Sequence, residues 1–266
     1  MSALDDEIRD LLRFAAERSI LPRFRNLAEH EISEKAEDDL VTVADKETEE
    51  FLTEALAKLA PGVPVVGEEA VHADPSVAER LSGACWIIDP VDGTHNFAHG
   101  TGPFGTIVAL ADGGETLAGW IYDPQLDRFC HAKRGEGAFI DGEQVAARST
   151  GEAPPVAAIS VMFMDAGKRE AVMRHIAPHY ALVDVPRCAA EQYPRLALGT
   201  NDVSIFERTL AWDHAAGVLW LNEAGGKAAR LDGSPYRVNE QGRQGLIGAA
   251  SPALFDELAA RMAQMA

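Results

Sequence analysis

Apolar positions along the chain alternate between two periods. Leu4, Ile8, Leu11, Leu12 and Ala15 recur at helical spacing, which predicts a helix over 3–27. Phe51, Leu52, Ala55, Leu56 and Leu59 do the same over 45–59, and Pro61-Gly62 stops that helix. A short strand over 63–66 runs into Gly67-Glu68-Glu69, and the apolar run Ala84-Cys85-Trp86-Ile87-Ile88 reads as a buried strand. Short strands follow at 106–110, 117–122, 128–132 and 138–140. The turn signals Asp112-Gly113-Gly114, Gly135-Glu136-Gly137 and Asp141-Gly142 separate them, so an antiparallel meander is expected on the two N-terminal helices. Gly151, Pro154 and Pro155 break the pattern and place a domain boundary at 148/149. Beyond it, strands at 157–162, 182–185, 203–206 and 246–249 alternate with helices at 167–176 and 212–223. Gly225-Gly226 closes the second of these, and Ser251-Pro252 opens a last helix.

Composition narrows the function. The 266 residues suit one large domain or two ordinary ones, and 47% hydrophobic with 25% charged residues is normal for a globular protein. The net charge of −18 and the lack of a Lys/Arg cluster argue against nucleic acid and against an anionic membrane surface. An anionic substrate is then expected to need cations at its site. Cys85, Cys130 and Cys188 are scattered and form no CxxC pair, so buried free thiols are expected. The acidic N-terminus lacks the pattern of a signal peptide, and no apolar run reaches the roughly 18 residues of a membrane span. A cytoplasmic protein is expected.

The hexapeptide Asp89-Pro90-Val91-Asp92-Gly93-Thr94 delivers two carboxylates, a glycine and a hydroxyl to the end of the buried strand. Hard divalent cations such as Mg²⁺ are held by such carboxylates together with substrate phosphate oxygens. A Gly-Thr opening a helix offers backbone N–H groups to a phosphate. Three further acidic groups stand out: Glu68-Glu69, Asp213 with Glu223, and Asp45 downstream of Lys35. On the residues alone each group also has a plain reading. Asp-Pro…Asp-Gly is a turn signature, Glu68-Glu69 a solvated loop, and Asp213 and Asp45 are helix caps. His95, His99 and His214 show no ligand spacing. No nucleophile elbow and no phosphate-binding GxxxxGK[ST] loop is present.

Taken together, the blocks Asp39-Leu40-Val41-Thr42…Asp45, Gly67-Glu68-Glu69, Trp86-Ile87-Ile88-Asp89-Pro90-Val91-Asp92-Gly93-Thr94-His95-Asn96-Phe97 and Trp212-Asp213-His214-Ala215-Ala216-Gly217 resemble the inositol monophosphatase family. Its members are Mg²⁺-dependent, lithium-sensitive phosphatases. The resemblance implies a layered αβαβα sandwich of the sugar-phosphatase type, α+β or α/β in class. It makes 1–148 an N-terminal α+β part with the metal site at its edge, and 149–266 a C-terminal α/β part that supplies Asp213 and substrate selectivity. It further implies two or three Mg²⁺ ions. Glu68, Asp89 and the Val91 carbonyl would hold one, and Asp89, Asp92 and Asp213 a second. Asp45, Glu68 and Thr94 would position and activate the attacking water. Asp92, Gly93, Thr94, Ala189, Glu207 and Asp213 would contact the substrate, and Lys35 would lie on a loop near the site. A homodimer acting on a small phosphate monoester is implied.

The sequence departs from the family where substrate is chosen. The glutamate usually found seven positions before the Asp of the Trp-Asp motif is Phe206 here, while Glu207 lies six before it and Arg208 follows. Arg187-Cys188-Ala189-Ala190 matches the Ser-Ala-Ala pocket segment loosely. Inositol 1-phosphate leads as substrate, followed by other polyol and sugar phosphates. Histidinol phosphate, fructose 1,6-bisphosphate and 3′-phosphoadenosine 5′-phosphate are the alternatives set by related families. A regulatory partnership with the transcription machinery is the alternative outside catalysis.

Overall fold

The computed structural model describes residues 2–36 and 39–265, with side chains for all of these except 35, 36 and 39. The first helix, α1 (Ala3–Ala15), starts at Ser2, whose hydroxyl and amide both bond to Asp5 in a capping box. A single wide π-turn (Ala16–Ile20) takes the place of further α-helix, so the predicted helix over 3–27 is shorter. A hairpin of β1 (Ile32–Ala36) and β2 (Asp39–Thr42) follows. The backbone of Lys35 therefore belongs to a strand rather than a loop, while its side chain lies outside the described residues. Next come α2 (Val43–Leu59), β3 (Val65–Gly67), α3 (Glu68–Ala73), β4 (Cys85–Asp92) and the short α4 (Thr94–Ala98).

Five strands complete the first sheet. They are β5 (Gly105–Asp112), β6 (Glu115–Asp123), β7 (Arg128–Lys133), β8 (Gly137–Ile140) and β9 (Glu143–Val145). The sheet order β3-β4-β5-β6-β7-β8-β9 is the expected meander, except that β3 joins β4 in parallel. A second sheet has the order β11-β10-β12-β14-β13. Its strands are β10 (Val156–Ile159), β11 (Ala181–Leu182), β12 (Val203–Phe206), β13 (Lys227–Arg230) and β14 (Leu246–Ala249). The helices α5 (Ala166–His175), α6 (Ala189–Ala197), α7 (Ala211–Glu223) and α8 (Pro252–Ala263) accompany it.

Strand period sorts side chains into layers. On β4, Trp86 and Ile88 join one core with Ile8, Leu12, Leu52 and Leu56 of α1 and α2. Cys85 and Ile87 face the other way and join a second core with Tyr193, Leu196 and the apolar length of α7. A third core packs Val172 of α5 and Phe255 and Leu258 of α8 against Val203, Ile205 and Ile247. The five layers run α1/α2, seven-stranded sheet, α6/α7, five-stranded sheet, α5/α8. This is the αβαβα sandwich. All three cysteines are buried and unpaired. Among the described residues no helix is long and apolar enough to cross a membrane.

Candidate active site

In a regular strand, residues three apart point to opposite faces, so Asp89 and Asp92 would be separated by the sheet. A bulge prevents this. Asp89 pairs with Ile107 and Asp92 with Gly105, so β4 spends three steps where β5 spends two. Pro90 falls in the irregular step, where it has no N–H to lose from the ladder, and its carbonyl accepts the Thr106 hydroxyl at 2.9 Å. The consequence is that Asp89, Asp92 and Asp213 each bring a carboxylate oxygen within 4.8 Å of the others. Asp213 arrives from the first turn of α7, on the far side of the layer boundary.

This cluster is electrostatically unbalanced. Asp89 is 1% exposed and its Oδ1 has no hydrogen-bond partner. Burial, then the nearby charges of Glu68, Asp92 and Asp213, push its carboxyl well above the usual range. Asp213 is raised to about 7 by burial and by Glu68 and Asp92, with the Arg208 charge opposing. Asp92 is raised by burial as well, but less freely. Its Oδ2 accepts the Ala190 amide at 2.5 Å and the Cys188 thiol at 3.0 Å, and both favour the anion. Oxygen donors crowded together with an unsatisfied buried oxygen are the donor set of a hard divalent cation, and Mg²⁺ fits it.

Other predicted residues surround the cluster. Glu68 lines the same cavity of about 360 Å³ as the three aspartates, at the first residue of α3, but outside their 4.8 Å group. Asp45 is not the cap of α2. Thr42 is, and Asp45 stands three residues on, completing a capping box in which the Thr42 amide and hydroxyl donate to Oδ2 at 2.8 and 2.6 Å. Its other oxygen, Oδ1, lies 3.1 Å from the Thr94 hydroxyl. That hydroxyl is also 2.8 Å from the Val91 carbonyl. Burial, opposed by the Thr42 bond and reinforced by Glu68, raises Asp45 to about 7.

Gly93 sits between strand and helix at φ +83, in the left-handed region. A Cβ there would come within 2.9 Å of the Pro103 carbonyl, so only glycine keeps the backbone of Gly93 and Thr94 open to the cavity. Ala189 lines the cavity at the start of α6, next to the Ala190 amide that grips Asp92. Glu207 and Arg208 both line it too. Glu223 does not join the cluster, because its carboxylate accepts the amides of Gly135 and Gly137 at 2.7 and 2.9 Å and fixes the β7–β8 turn. His214 is neutral by environment. Burial lowers it to about 3, and its two nitrogens meet the Tyr193 hydroxyl at 2.7 Å and the Arg208 carbonyl at 3.1 Å.

Two supporting residues escaped the sequence reading. Glu49 accepts the amides of Glu69 and Ala70, both at 2.8 Å, and so fixes the helix start that carries Glu68. A Cβ on Gly67 would overlap that carboxylate, at 2.2 Å from its carbon. The available signal was position, since Glu49 lies one helical turn after Asp45. Lys168, in the first turn of α5, pairs with Glu207, and no sequence signal joined them.

A sequence profile of the inositol monophosphatase family matches residues 5–265. An inositol-1-monophosphatase of Bacillus subtilis is 33% identical over 206 residues, 76% of this chain and 77% of that one. An inositol-1-monophosphatase of Caulobacter vibrioides is 33% identical over 232 residues, 84% of this chain and 88% of that one. The crystal structure of the extragenic suppressor protein suhB from Bartonella henselae superposes with a TM-score of 0.82 at 25% identity, covering 98% of both chains. With its folded layers, its acidic cluster and these relatives agreeing, the chain belongs to the inositol monophosphatase family of phosphomonoesterases.

Proposed function

We propose that this chain hydrolyses a small phosphate monoester with Mg²⁺ and an activated water, with inositol 1-phosphate first among polyol and sugar phosphates. The triad of buried Asp89 and Asp92 with half-buried Asp213, and with an orphaned Asp89 oxygen, is the observation that carries the reading. Asp89, Asp92 and Asp213, with Glu68 and the Val91 carbonyl, would hold two or three Mg²⁺ ions. When bound, Mg²⁺ neutralises phosphoryl oxygens and lowers the pKa of its water toward neutrality.

The chain's own groups do the rest. Thr94 has one hydroxyl proton and two acceptors, the Val91 carbonyl and Asp45 Oδ1. Asp45 is placed to accept the Thr94 hydroxyl proton, and Thr94 can then take one from an attacking water. The amides of Gly93 and Thr94 supply donors for phosphoryl oxygens. Asp92, pinned by Ala190 and Cys188 and flanked by Ala189, faces the alcohol part. The 148/149 division into two subdomains, a homodimer, a cytoplasmic setting and inhibition by Li⁺ complete the reading. Sedimentation would check the dimer, and a monomer would remove it.

The decisive experiment is phosphate release from inositol 1-phosphate with millimolar Mg²⁺, with and without Li⁺. Turnover that EDTA abolishes and Li⁺ suppresses is expected. No release from this or any monoester would sink the proposal. A purely regulatory binding role would not require so complete a ligand set, and an Asp89→Asn protein that retained a captured partner would favour it.

A further inference from the structure

Arg187 lines the cavity two residues before α6 begins, and its backbone is unusual. Its φ is +53, in the left-handed region that an arginine rarely adopts. Of the described non-glycine residues at positive φ, it is the one that lines the cavity. Bonds on both sides keep it there. Before it, the Asn96 side chain on α4 donates to the Pro186 carbonyl at 2.9 Å and to the Pro103 carbonyl at 2.8 Å. After it, the Cys188 thiol and the Ala190 amide donate to Asp92 at 3.0 and 2.5 Å. A Cβ on Gly93 would lie 3.2 Å from the Cys188 Cβ, so the two backbones are in close contact. The chain on either side of Arg187 is thus riveted to residues 92–96. Backbone strain persists where the surroundings over-determine it, and it gathers at functional sites.

The side chain that this backbone carries is exposed. Its Nη1 lies 3.5 Å from His95 Nε2, and its Nη2 lies 3.9 Å from the Met162 sulfur. Both neighbours line the cavity, and His95 directly follows Thr94. Neither neighbour brings a negative charge, and among the described residues no carboxylate pairs with this guanidinium. A phosphate monoester carries up to two negative charges and three terminal oxygens, more than two backbone amides satisfy. A guanidinium offers a planar fork of donors matched to such oxygens. Backbone and side chain both tie Arg187 to the segment that carries the Gly93 and Thr94 amides. That tie places it with the phosphoryl group rather than with the alcohol.

We propose that Arg187 binds the phosphoryl group, its guanidinium taking an oxygen of the phosphate that the Gly93 and Thr94 amides also hold, whatever the alcohol. The inference rests on the phosphatase reading above and adds a residue to it. The left-handed turn at Arg187 is then the conformation that brings its guanidinium to the substrate. Asn96, Cys188 and Ala190 hold that turn in place from the two ends.

The test compares the native chain with Arg187→Gly and Arg187→Asn, both of which suit a positive φ and remove the guanidinium. It measures kcat/KM with Mg²⁺ for inositol 1-phosphate, glycerol 2-phosphate and 2-phosphoglycerate, the Ki of inorganic phosphate as a competitive inhibitor, and the melting temperature. Both variants are expected to lower kcat/KM by about tenfold or more, by a common factor for all three esters. The Ki of phosphate should rise about tenfold, because the lost contact is made to the group that the product keeps. Both variants should melt no lower than the native chain, since neither strains the backbone. An unchanged Ki of phosphate overturns the inference. So does a loss confined to one ester, which would assign Arg187 to the alcohol, or a loss that comes with a lower melting temperature, which would assign it to the fold. Absence of phosphate release by the native chain from all three esters would overturn the phosphatase reading itself, and this inference with it.

Discussion

Asp5 and Asp89 are both almost wholly buried, at 3% and 1% exposure, yet their surroundings are opposite. Asp5 accepts from the Ser2 amide and hydroxyl at 2.8 and 2.7 Å and from the Trp120 indole at 3.1 Å, with Lys133 at 3.3 Å. Burial alone would raise its pKa, but the Ser2 and Trp120 bonds outweigh it and bring the carboxyl down to about 2. Asp89 has an oxygen with no donor and the charges of four carboxylates around it, and it moves the other way. The contrast teaches how to tell a structural carboxylate from a ligand. A buried anion that the fold has already satisfied holds the fold together. One that the fold leaves unsatisfied is waiting for a cation.

The largest effect should come from the unsatisfied side. Asp89→Asn or Asp213→Asn is expected to lower kcat by on the order of 10²–10³ or more, as removal of a key electrostatic group does. The metal-free variants should melt no lower than the parent, because clustered repulsion is relieved. Steady-state assays with paired melting curves check this, and full turnover in either variant would contradict the ligand assignment.

Next in size is a pH effect on the metal-free chain. Asp45, Glu49 and Asp213 are each raised to about 7, chiefly by burial. Between the ordinary carboxylate value of about 4 and that value, the folded chain binds more protons than the unfolded chain. Its stability therefore falls as pH rises across this window. Mg²⁺ binds the anions, so the gap between melting temperatures with Mg²⁺ and with EDTA should widen from pH 5 to pH 8. A gap that narrows would mean that Asp213 does not hold the cation.

The smallest effect belongs to the satisfied side. Asp5→Ala strands the Trp120 indole without its acceptor, while Lys133 keeps the Ser2 hydroxyl, and should destabilise the chain by about 1–3 kcal/mol. The folded pKa lies below the ordinary one, so this contribution is present above about pH 4 and fades as pH falls toward 2. Turnover per folded molecule should stay at the parent level. Urea titrations at pH 3 and 7 measure the loss, and an equal loss at both would refute the account.

Much of this was legible in the chain. The strand over 203–206, the strand over 246–249 and the capped start of α8 at Ser251 fall where periodicity and capping place them. These signals are local, which is why they survive. The hexapeptide announced two carboxylates at a strand end. The bulge that turns them to one side shows only in the pairing of β4 with β5. Helix α6 escaped because Pro194 lies inside it and reads as a breaker, while burial of Tyr193 and Leu196 overrides that preference. The cap reading of Asp45 arises because Thr42 and Asp45 share the box, while its expected place beside Thr94 depends on a contact across 49 residues. The Lys168–Glu207 pair joins two elements 39 residues apart, and no local pattern encodes such a meeting.

Asp89 and Asp92 ride on the seven-stranded sheet, whereas Asp213 is carried by a helix wedged between the two sheets. A cation gripped by all three is therefore also a clasp across the sandwich, fastening segments that the chain itself joins only through long detours. Were Asp89, Asp92 and Asp213 its ligands, withdrawing it would remove a link between β4 and α7 beyond their apolar packing, and the surrounding ion concentration would bear on stability as well as on chemistry.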